Sequence, residues 1–471
     1  MTIRLYDSLS RTVRELVPLD GKTFRYYCCG PTVYGPAHIG NFRSFVLQDV
    51  FRRTLETSGQ KVFHVRNLTD VDDKTIGQAR EEGRPLKEIT NHWTKKFHED
   101  AEALGLLRPH EEPAATDHIA EQIALIEKLI EKDHAYAVED GSVYFRVSSF
   151  EDYGKLSRLK EREIRTEQTN ENDGAPIDAD EYQRDSAVDF ALWKGRKPED
   201  GDVFWESPWG EGRPGWHIEC SAMSMTYLGE TFDLHGGGVD LIFPHHENEI
   251  AQSEAGTCKP FAKHWFHTAH LMVDGQKMSK SLGNLFTVDE VRERGFSPLA
   301  LRYLLLSGNY RQPLNFTWES LHSAVSALER LSRFHDALVS RADDTKADTN
   351  ATSDFASFQK CWDALANDLN TPAALGALFS AIRTIRPTEI SPSEAATELQ
   401  ALNRVLYAFG IDLPEEKATA EIPSEIAALA EKRWNAKTNR DFATADQIRD
   451  ELKAAGWNVL DSKNGYELEK I

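Results

Sequence analysis

The chain has 471 residues, 40% of them apolar and 28% charged, and 76 acidic residues outweigh 55 basic ones for a net charge of −21. That length exceeds a single hydrophobic core and predicts two to four domains of an ordinary soluble globular protein. The acidic balance argues against a dedicated nucleic-acid binder but leaves room for local basic patches.

Residues 1–20 lack the apolar core of a signal peptide, and no stretch approaches membrane-spanning length, so no membrane partner is expected. The five cysteines (Cys28, Cys29, Cys220, Cys258, Cys361) are odd in number and thinly spread. That fits a reducing cytoplasm, with thiols or metal ligands in place of disulfides, and a cytoplasmic location is expected. FRYYCCG, residues 24–30, reads as a strand closed by glycine. The loop PTVYGPAHIG follows, then a helix in which Phe42, Phe45, Val46, Val50 and Leu55 recur at helical spacing before Gly59. A second strand, KVFHVRNLTDV, completes a βαβ unit, so the first domain is predicted to be α/β with a parallel sheet.

Residues 113–200 read as an insertion in that domain: the amphipathic helix HIAEQIALIEKLIEK, the short strand GSVYFRV and the turn-rich TEQTNENDGAPIDADEYQRDS. Sheet-like sequence resumes at FDLHGGGVDLIF. Over residues 316–415 strand signals vanish and amphipathic helices predict a bundle, interrupted by the polar ADDTKADTNATSD. The last segment, 416–471, predicts a small α+β module of two helices and a hairpin turning at Asn464-Gly465.

Two loops carry the chemistry. A glycine-bearing loop that enters a helix offers unpaired N–H groups at the positive end of the helix dipole, an anion site to which His38 and Asn41 can add donors. Taken alone it is equally a structural turn. GQKMSKSLGN, residues 275–284, places Lys277 and Lys280 in a loop where they can clamp a polyphosphate and offset charge developing during nucleotidyl transfer. Together, His-Ile-Gly-Asn after the first strand and Lys-Met-Ser-Lys-Ser at the far end of the sheet resemble the two signatures of class I aminoacyl-tRNA synthetases. Asn41 stands where the signature usually has histidine; it keeps a donor and loses a possible charge.

The other polar constellation is spread along the chain. GRPGWHIECSAM carries Cys220, and FPHHENEIAQ carries His245, His246, Glu247 and Glu249, with Pro244 at the expected helix start. His245 and Glu249, four residues apart, can converge on one point. Cysteine, histidine and glutamate are all zinc ligands, but the spacing lacks local pairing, so from spacing alone Cys220 is equally a small core residue. Asp70, Asp72 and Asp73 suggest a helix cap ahead of a magnesium cluster.

Cys-Gly-x-Thr-Val-Tyr, Gly-Trp-His-Ile-Glu-Cys and Gly-Gly-Gly-x-Asp-Leu-x-Phe-Pro-His-His-Glu-Asn-Glu resemble the cysteinyl-tRNA synthetase subgroup, closely over residues 20–320 and more loosely beyond. The resemblance implies a Rossmann-like catalytic domain over 1–315, a helical bundle over 316–415 and a tRNA anticodon-binding module over 416–471. It implies zinc held by Cys29, Cys220, His245 and Glu249, leaving Cys28 on the opposite face. It implies ATP, with its magnesium, held by His38, Gly40, Asn41, Lys277 and Lys280, of which His38 and the two lysines serve the reaction. Thr69, Trp216 and Asp240 are implied to line the amino-acid pocket, Asp240 facing the ammonium; without the resemblance Asp240 is equally a turn residue. The expected substrates are L-cysteine, ATP and tRNA(Cys). An apolar pocket separates near-isosteres such as cysteine and serine by only about 10–200-fold, whereas zinc prefers soft sulfur. Two rival readings stay open: a ligase joining activated cysteine to an amino-sugar, and a non-catalytic, synthetase-like RNA-binding protein. Lys432, Arg433, Lys437, Arg440, Arg449 and Lys453 give the C-terminal module a local basic excess, with Trp434 and Trp457 available for stacking and Phe442, Ala445, Ile448 and Leu452 expected as a core stripe.

Overall fold

The structure, a computed structural model, describes residues 2–159, 189–279, 282–342, 355–413, 423–439, 441–462 and 465–470. It forms two compact units, Met1–Asp412 and Leu413–Ile471. Among the described residues no helix is long and apolar enough to cross a membrane.

The first unit opens with an antiparallel hairpin, β1 (Arg4–Asp7) and β2 (Thr12–Glu15). β3 (Thr23–Cys28) and β4 (Lys61–Arg66) then run parallel, Cys28 opposite Arg66, joined by the helix Ile39–Thr57. All five apolar positions whose spacing predicted that helix are buried. The insertion folds as a separate antiparallel sheet, β5 (Ala135–Ala137), β6 (Val143–Phe145), β7 (Phe190–Gly195) and β8 (Gly212–Pro214), in that order. The helix Ile119–Glu131 covers it, packing Leu125, Ile126 and Leu129 with Val143, Phe145 and Trp193. β8 carries this sheet past residue 200, where the insertion was expected to end; the turn-rich stretch 166–186 lies outside the described residues.

β9 (Leu234–Gly238) and β10 (Trp265–Thr268) complete the parallel sheet, whose order is β10-β9-β3-β4. β3 pairs with β4 on one side and β9 on the other, so the strand order reverses there. In open α/β sheets a crevice forms at such a reversal, beyond the carboxyl ends of the strands. Cys29 follows β3, and the glycines of Leu-His-Gly-Gly-Gly close β9, so both elements deliver their ends to that crevice. A small sheet of β11 (Leu271–Val273), β12 (Gln276–Lys277) and β13 (Leu314–Phe316) carries the lysine loop.

Helices Pro298–Leu306, Trp318–Arg341, Gln359–Ala366, Thr371–Thr384 and Pro392–Phe409 follow. They belong to the same compact unit as the sheets. A fully buried ion pair ties them to the helix Ile39–Thr57: the Arg302 guanidinium meets the Asp49 carboxylate and donates to the Phe409 and Leu104 carbonyls at 2.9 and 3.0 Å. Gly410 makes room for it, since a Cβ there would lie 2.0 Å from Arg302 Nη2, and its φ of +62° is itself a glycine conformation.

In the second unit, helices Ser424–Thr438 and Phe442–Ala454 pack on the hairpin β14 (Trp457–Ser462) and β15 (Gly465–Lys470) around Ala430, Leu452 and Val459. Phe442, expected in the core stripe, is 60% exposed, because it is the first residue of its helix and lies beyond the packed face. Arg433 and Trp457 are buried, which removes both from any exposed RNA surface; Arg440 and Asn464 lie outside the described residues.

Removing one partner of a buried ion pair strands the other charge, at a cost of about 3–5 kcal/mol. Asp49→Ala is therefore expected to lower the stability of the first unit by about that amount, measured as a shift in urea midpoint at unchanged slope. An unshifted midpoint would show that Arg302 needs no counter-charge.

Candidate active site

His38 caps the helix Ile39–Thr57. Its backbone is extended (φ −94°, ψ 164°), its Nδ1 accepts from the Asn41 N–H at 3.2 Å, and Asn41 Oδ1 accepts from the His38 N–H at 3.0 Å. This reciprocal box satisfies two of the orphan donors at the helix start. It also fixes the imidazole. Burial pushes the His38 pKa down against the pull of the Asp240 charge, and a neutral ring that accepts at Nδ1 carries its proton on Nε2. Asn41, expected as a phosphate contact, has its side-chain carbonyl committed to this cap. Gly40 is required by close approach, since a Cβ would lie 2.9 Å from both His38 Nδ1 and Met278 Sδ.

Met278 belongs to the lysine loop. Lys277 on β12 is exposed, and Asn284 braces the loop by donating to the Lys277 carbonyl at 3.3 Å and accepting from the Ser279 N–H at 2.8 Å. Lys280 lies outside the described residues. A cavity of about 400 Å³ occupies the crevice. His38, Gly40, Asn41, Lys277 and Met278 line it, as do Cys29, Trp216 and Asp240. Thr69 is not among its lining residues: it is buried and accepts from Asn67 Nδ2 at 3.1 Å. Trp216 stacks on His245, ring centroids 4.2 Å apart.

Cys29, Cys220, His245 and Glu249 come together although the two cysteines are 191 residues apart. Their donor atoms all lie within 4.8 Å of one another, and all four residues are buried. Cys29 Sγ is 4.0 Å from Cys220 Sγ and 3.8 Å from Glu249 Oε1, and His245 Nε2 is 3.1 Å from the same oxygen. A tetrahedral zinc with Zn–S bonds of about 2.3 Å needs a sulfur–sulfur edge of about 3.8 Å, so the donor set fits such an ion. Burial raises both thiols. On Cys220 the hydrogen bond from Cys29 and the neighbouring His245 outweigh it and bring the pKa down to about 6, while Cys29 is driven up. Cys28 sits in neither group; burial raises its thiol, and it packs against Gly236.

A second set, Cys29, His235, His246 and Glu249, shares two donors with the first. His235 Nε2 is 2.8 Å from Glu249 Oε2, and His246 lies 3.3 Å from Cys29 Sγ through Nε2 and 2.7 Å from His267 through Nδ1. No sequence signal marks His235 or His267, and spacing alone gives His246 no role. The spacing that paired His245 with Glu249 also brings His246 within reach, three residues before it. A Cβ on Gly237 would meet His246 Cε1 at 2.8 Å, so the glycine strand lets this second layer close in. The regular helix begins at Glu247, not at Pro244: Phe243 is extended (φ −137°, ψ 130°), and residues 242–246 form an irregular turn. The aspartates divide among separate tasks. Asp72 caps helix Asp73–Glu82 by accepting from the Thr75 N–H at 2.7 Å, Asp70 accepts from Thr116, and Asp73 pairs with Lys194 and Arg213.

A parallel sheet with a phosphate-ready helix end on one side of the reversal and a lysine loop on the other is the architecture of a class I aminoacyl-tRNA synthetase. Residues 15–326 match the tRNA synthetases class I (C) catalytic domain and residues 360–413 the DALR domain. The fold resembles Mycobacterium tuberculosis methionyl-tRNA synthetase in complex with methionyl-adenylate (TM-score 0.57, 16% identity, 82% of this chain and 90% of that one). It also resembles a putative arginyl-tRNA synthetase from Campylobacter jejuni (TM-score 0.55, 13% identity, 83% and 93%). The cysteine–tRNA ligase of Opitutus terrae is 55% identical over 100% of this chain and 99% of its own length, and those of Solibacter usitatus and Chlamydia trachomatis serovar A are 44% and 43% identical over 100% of both chains. The chain belongs to the cysteine–tRNA ligase family.

One intramolecular hydrogen bond at the helix start is worth about 1 kcal/mol net. Asn41→Ala, which frees the His38 N–H, is expected to destabilise by about that much in urea titration, and Asn41→Asp to recover most of it. Equal stability of all three proteins would mean that the cap is immaterial.

Proposed function

We propose that this chain activates L-cysteine with ATP, releasing pyrophosphate, and transfers the cysteinyl group from the adenylate to the terminal adenosine of tRNA(Cys). The carrying observation is the gathering of two thiols, an imidazole and a carboxylate beside a cavity whose lining also includes His38, Gly40 and Lys277. Cys29, Cys220, His245 and Glu249 would hold zinc. When bound there, zinc supplies a soft Lewis acid that favours sulfur over a hydroxyl.

The chain's own residues do the remaining work. His38 offers Nε2–H, and the helix start offers its backbone N–H groups, to the phosphates of ATP with its magnesium. Lys277 and Lys280 offset the charge that develops as the cysteine carboxylate attacks the α-phosphate. Trp216 closes the amino-acid side of the cavity over His245, and Asp240 faces the ammonium. Little proton transfer is needed, so rate comes from positioning and electrostatics. The unit Leu413–Ile471 takes the anticodon end of tRNA, through Lys432, Lys437, Arg449 and Lys453, with the Lys437 ammonium 5.7 Å over the Trp434 ring. Full-length similarity to tRNA ligases, including that unit, favours tRNA over an amino-sugar as acceptor.

The direct test is exchange of pyrophosphate into ATP. Cysteine should support it and serine should not, and cysteinyl-tRNA should accumulate when tRNA is added. Exchange without any charging would return the amino-sugar reading, and no exchange at all would return the non-catalytic one. The same protein should carry one zinc per chain by elemental analysis. Cys29→Ser and Cys220→Ser should lose it and raise the KM for cysteine at least tenfold, while Cys28→Ser should keep it; loss of zinc from Cys28→Ser to the same degree would move the site to the neighbouring cysteine.

A further inference from the structure

The reaction has three substrates, and the cavity has a wall that neither the thiol group nor the phosphate group explains. Tyr34, Lys74, Trp93 and Phe97 form it, drawn from the loop after β3, the first turn of helix Asp73–Glu82 and the helix Leu86–Ala103. Phe97 is anchored, stacked on Phe42 with centroids 5.8 Å apart. Trp93, one turn before it, is partly exposed, yet its indole N–H is buried and finds no acceptor. The Lys74 ammonium sits 5.8 Å over the Tyr34 ring. Aromatic faces flanked by a cation are the chemistry that seats an unpaired nucleotide.

The same helix turn borders a second cavity. Asp73, adjacent to Lys74, pairs with Lys194 (2.9 Å) and Arg213, both buried, in a cavity of about 300 Å³ between helix Asp73–Glu82 and the insertion sheet. Arg80 and Lys197 also line it, which sets four cations against Asp73, Glu199 and Asp200 in a chain that is strongly acidic overall. Helix positions 73, 76, 77 and 80 face this cavity, while residue 74 faces the reaction cavity. Two nucleotide-compatible sites therefore flank one helix turn.

We propose that the single-stranded acceptor end of the RNA crosses the first turn of helix Asp73–Glu82, with its terminal base against Trp93 and Tyr34 and an upstream phosphate in the Arg80–Lys197 cavity. This rests on the tRNA-charging reading and adds to it the path by which the acceptor hydroxyl arrives. The terminal base takes a stacking contact with the exposed part of the Trp93 ring, and Lys74 steadies the adjoining phosphate.

Single-turnover transfer from preformed adenylate, set beside pyrophosphate exchange on the same full-length protein, tests it. Trp93→Ala should reduce transfer at subsaturating tRNA at least tenfold more than it reduces exchange, and Trp93→Phe should restore transfer to within about threefold. On tRNA lacking the terminal nucleotide, wild type and Trp93→Ala should bind alike. The double variant Arg80→Glu/Lys197→Glu should raise the KM for tRNA at least fivefold and flatten the dependence of binding on salt. Parallel losses in exchange and transfer would make Trp93 a wall of the ATP or cysteine site and overturn the path. So would undiminished discrimination on the shortened tRNA, or a KM for tRNA unmoved by the double variant. A wild-type protein that exchanges pyrophosphate and charges no tRNA sinks the acceptor reading itself, an outcome separate from these.

Discussion

Two thiols and a carboxylate, all buried and mutually within 4.8 Å, cannot all carry charge unless a cation joins them. Much of the surrounding structure answers that constraint. His235 binds the outer oxygen of Glu249, so the other oxygen points to the cysteines, and His246 is held in turn by His267. Trp265 stacks on His235, and Trp216 on His245, which gives each ring a fixed plane. Donors oriented in this way by partners behind them are the usual requirement for a defined metal geometry. Gly237 is part of the same solution, because a Cβ there would stand 2.8 Å from His246 Cε1 and push that ring outward.

The helix that begins at His38 meets a different demand. Its start must present donors to an anion, so its own groups must already be satisfied without covering the opening. The reciprocal bonds between His38 and Asn41 do this with side chains that lie along the first turn. Farther along, Arg43 donates to the carbonyls of His270, Asn309 and Gln312, and Asp49 holds Arg302. One helix thus carries the cap, a hold on the segment that leads to the lysine loop, and the joint with the helical region. A shift of this helix would disturb all three together.

The sequence made the local order legible. The period of Phe42, Phe45, Val46, Val50 and Leu55 foretold the helix and hence the βαβ unit, and four-residue spacing foretold the meeting of His245 with Glu249. Cys29 and Cys220 had no such arithmetic, since the reversal of strand order brings them together; family resemblance, rather than spacing, paired them. His235 is illegible in the sequence, because a lone histidine in a glycine-rich strand carries no signature. Sequence points to the donor capacity of Asn41, whereas its side-chain carbonyl does the structural work. Periodicity places Phe442 in a core stripe, but periodicity does not say where along a helix the packing partner ends. The wall of Tyr34, Lys74, Trp93 and Phe97 was invisible to any motif, being assembled from three separate segments.

Gly410 sets a condition on exchanging parts of this protein. The helical region beginning near residue 316 is an attractive unit to graft between relatives, since its entry lies close to a short strand. Its far end, however, must admit the Arg302 guanidinium, which belongs to the retained half and leaves 2.0 Å where a Cβ would stand. A transplanted segment that met every other requirement but carried any side chain at that position would displace Arg302 from Asp49, and through Asp49 loosen the helix that begins at His38. Compatibility between donor and recipient halves is thus decided by a single atom's width, at the joint where Arg302 meets Asp49.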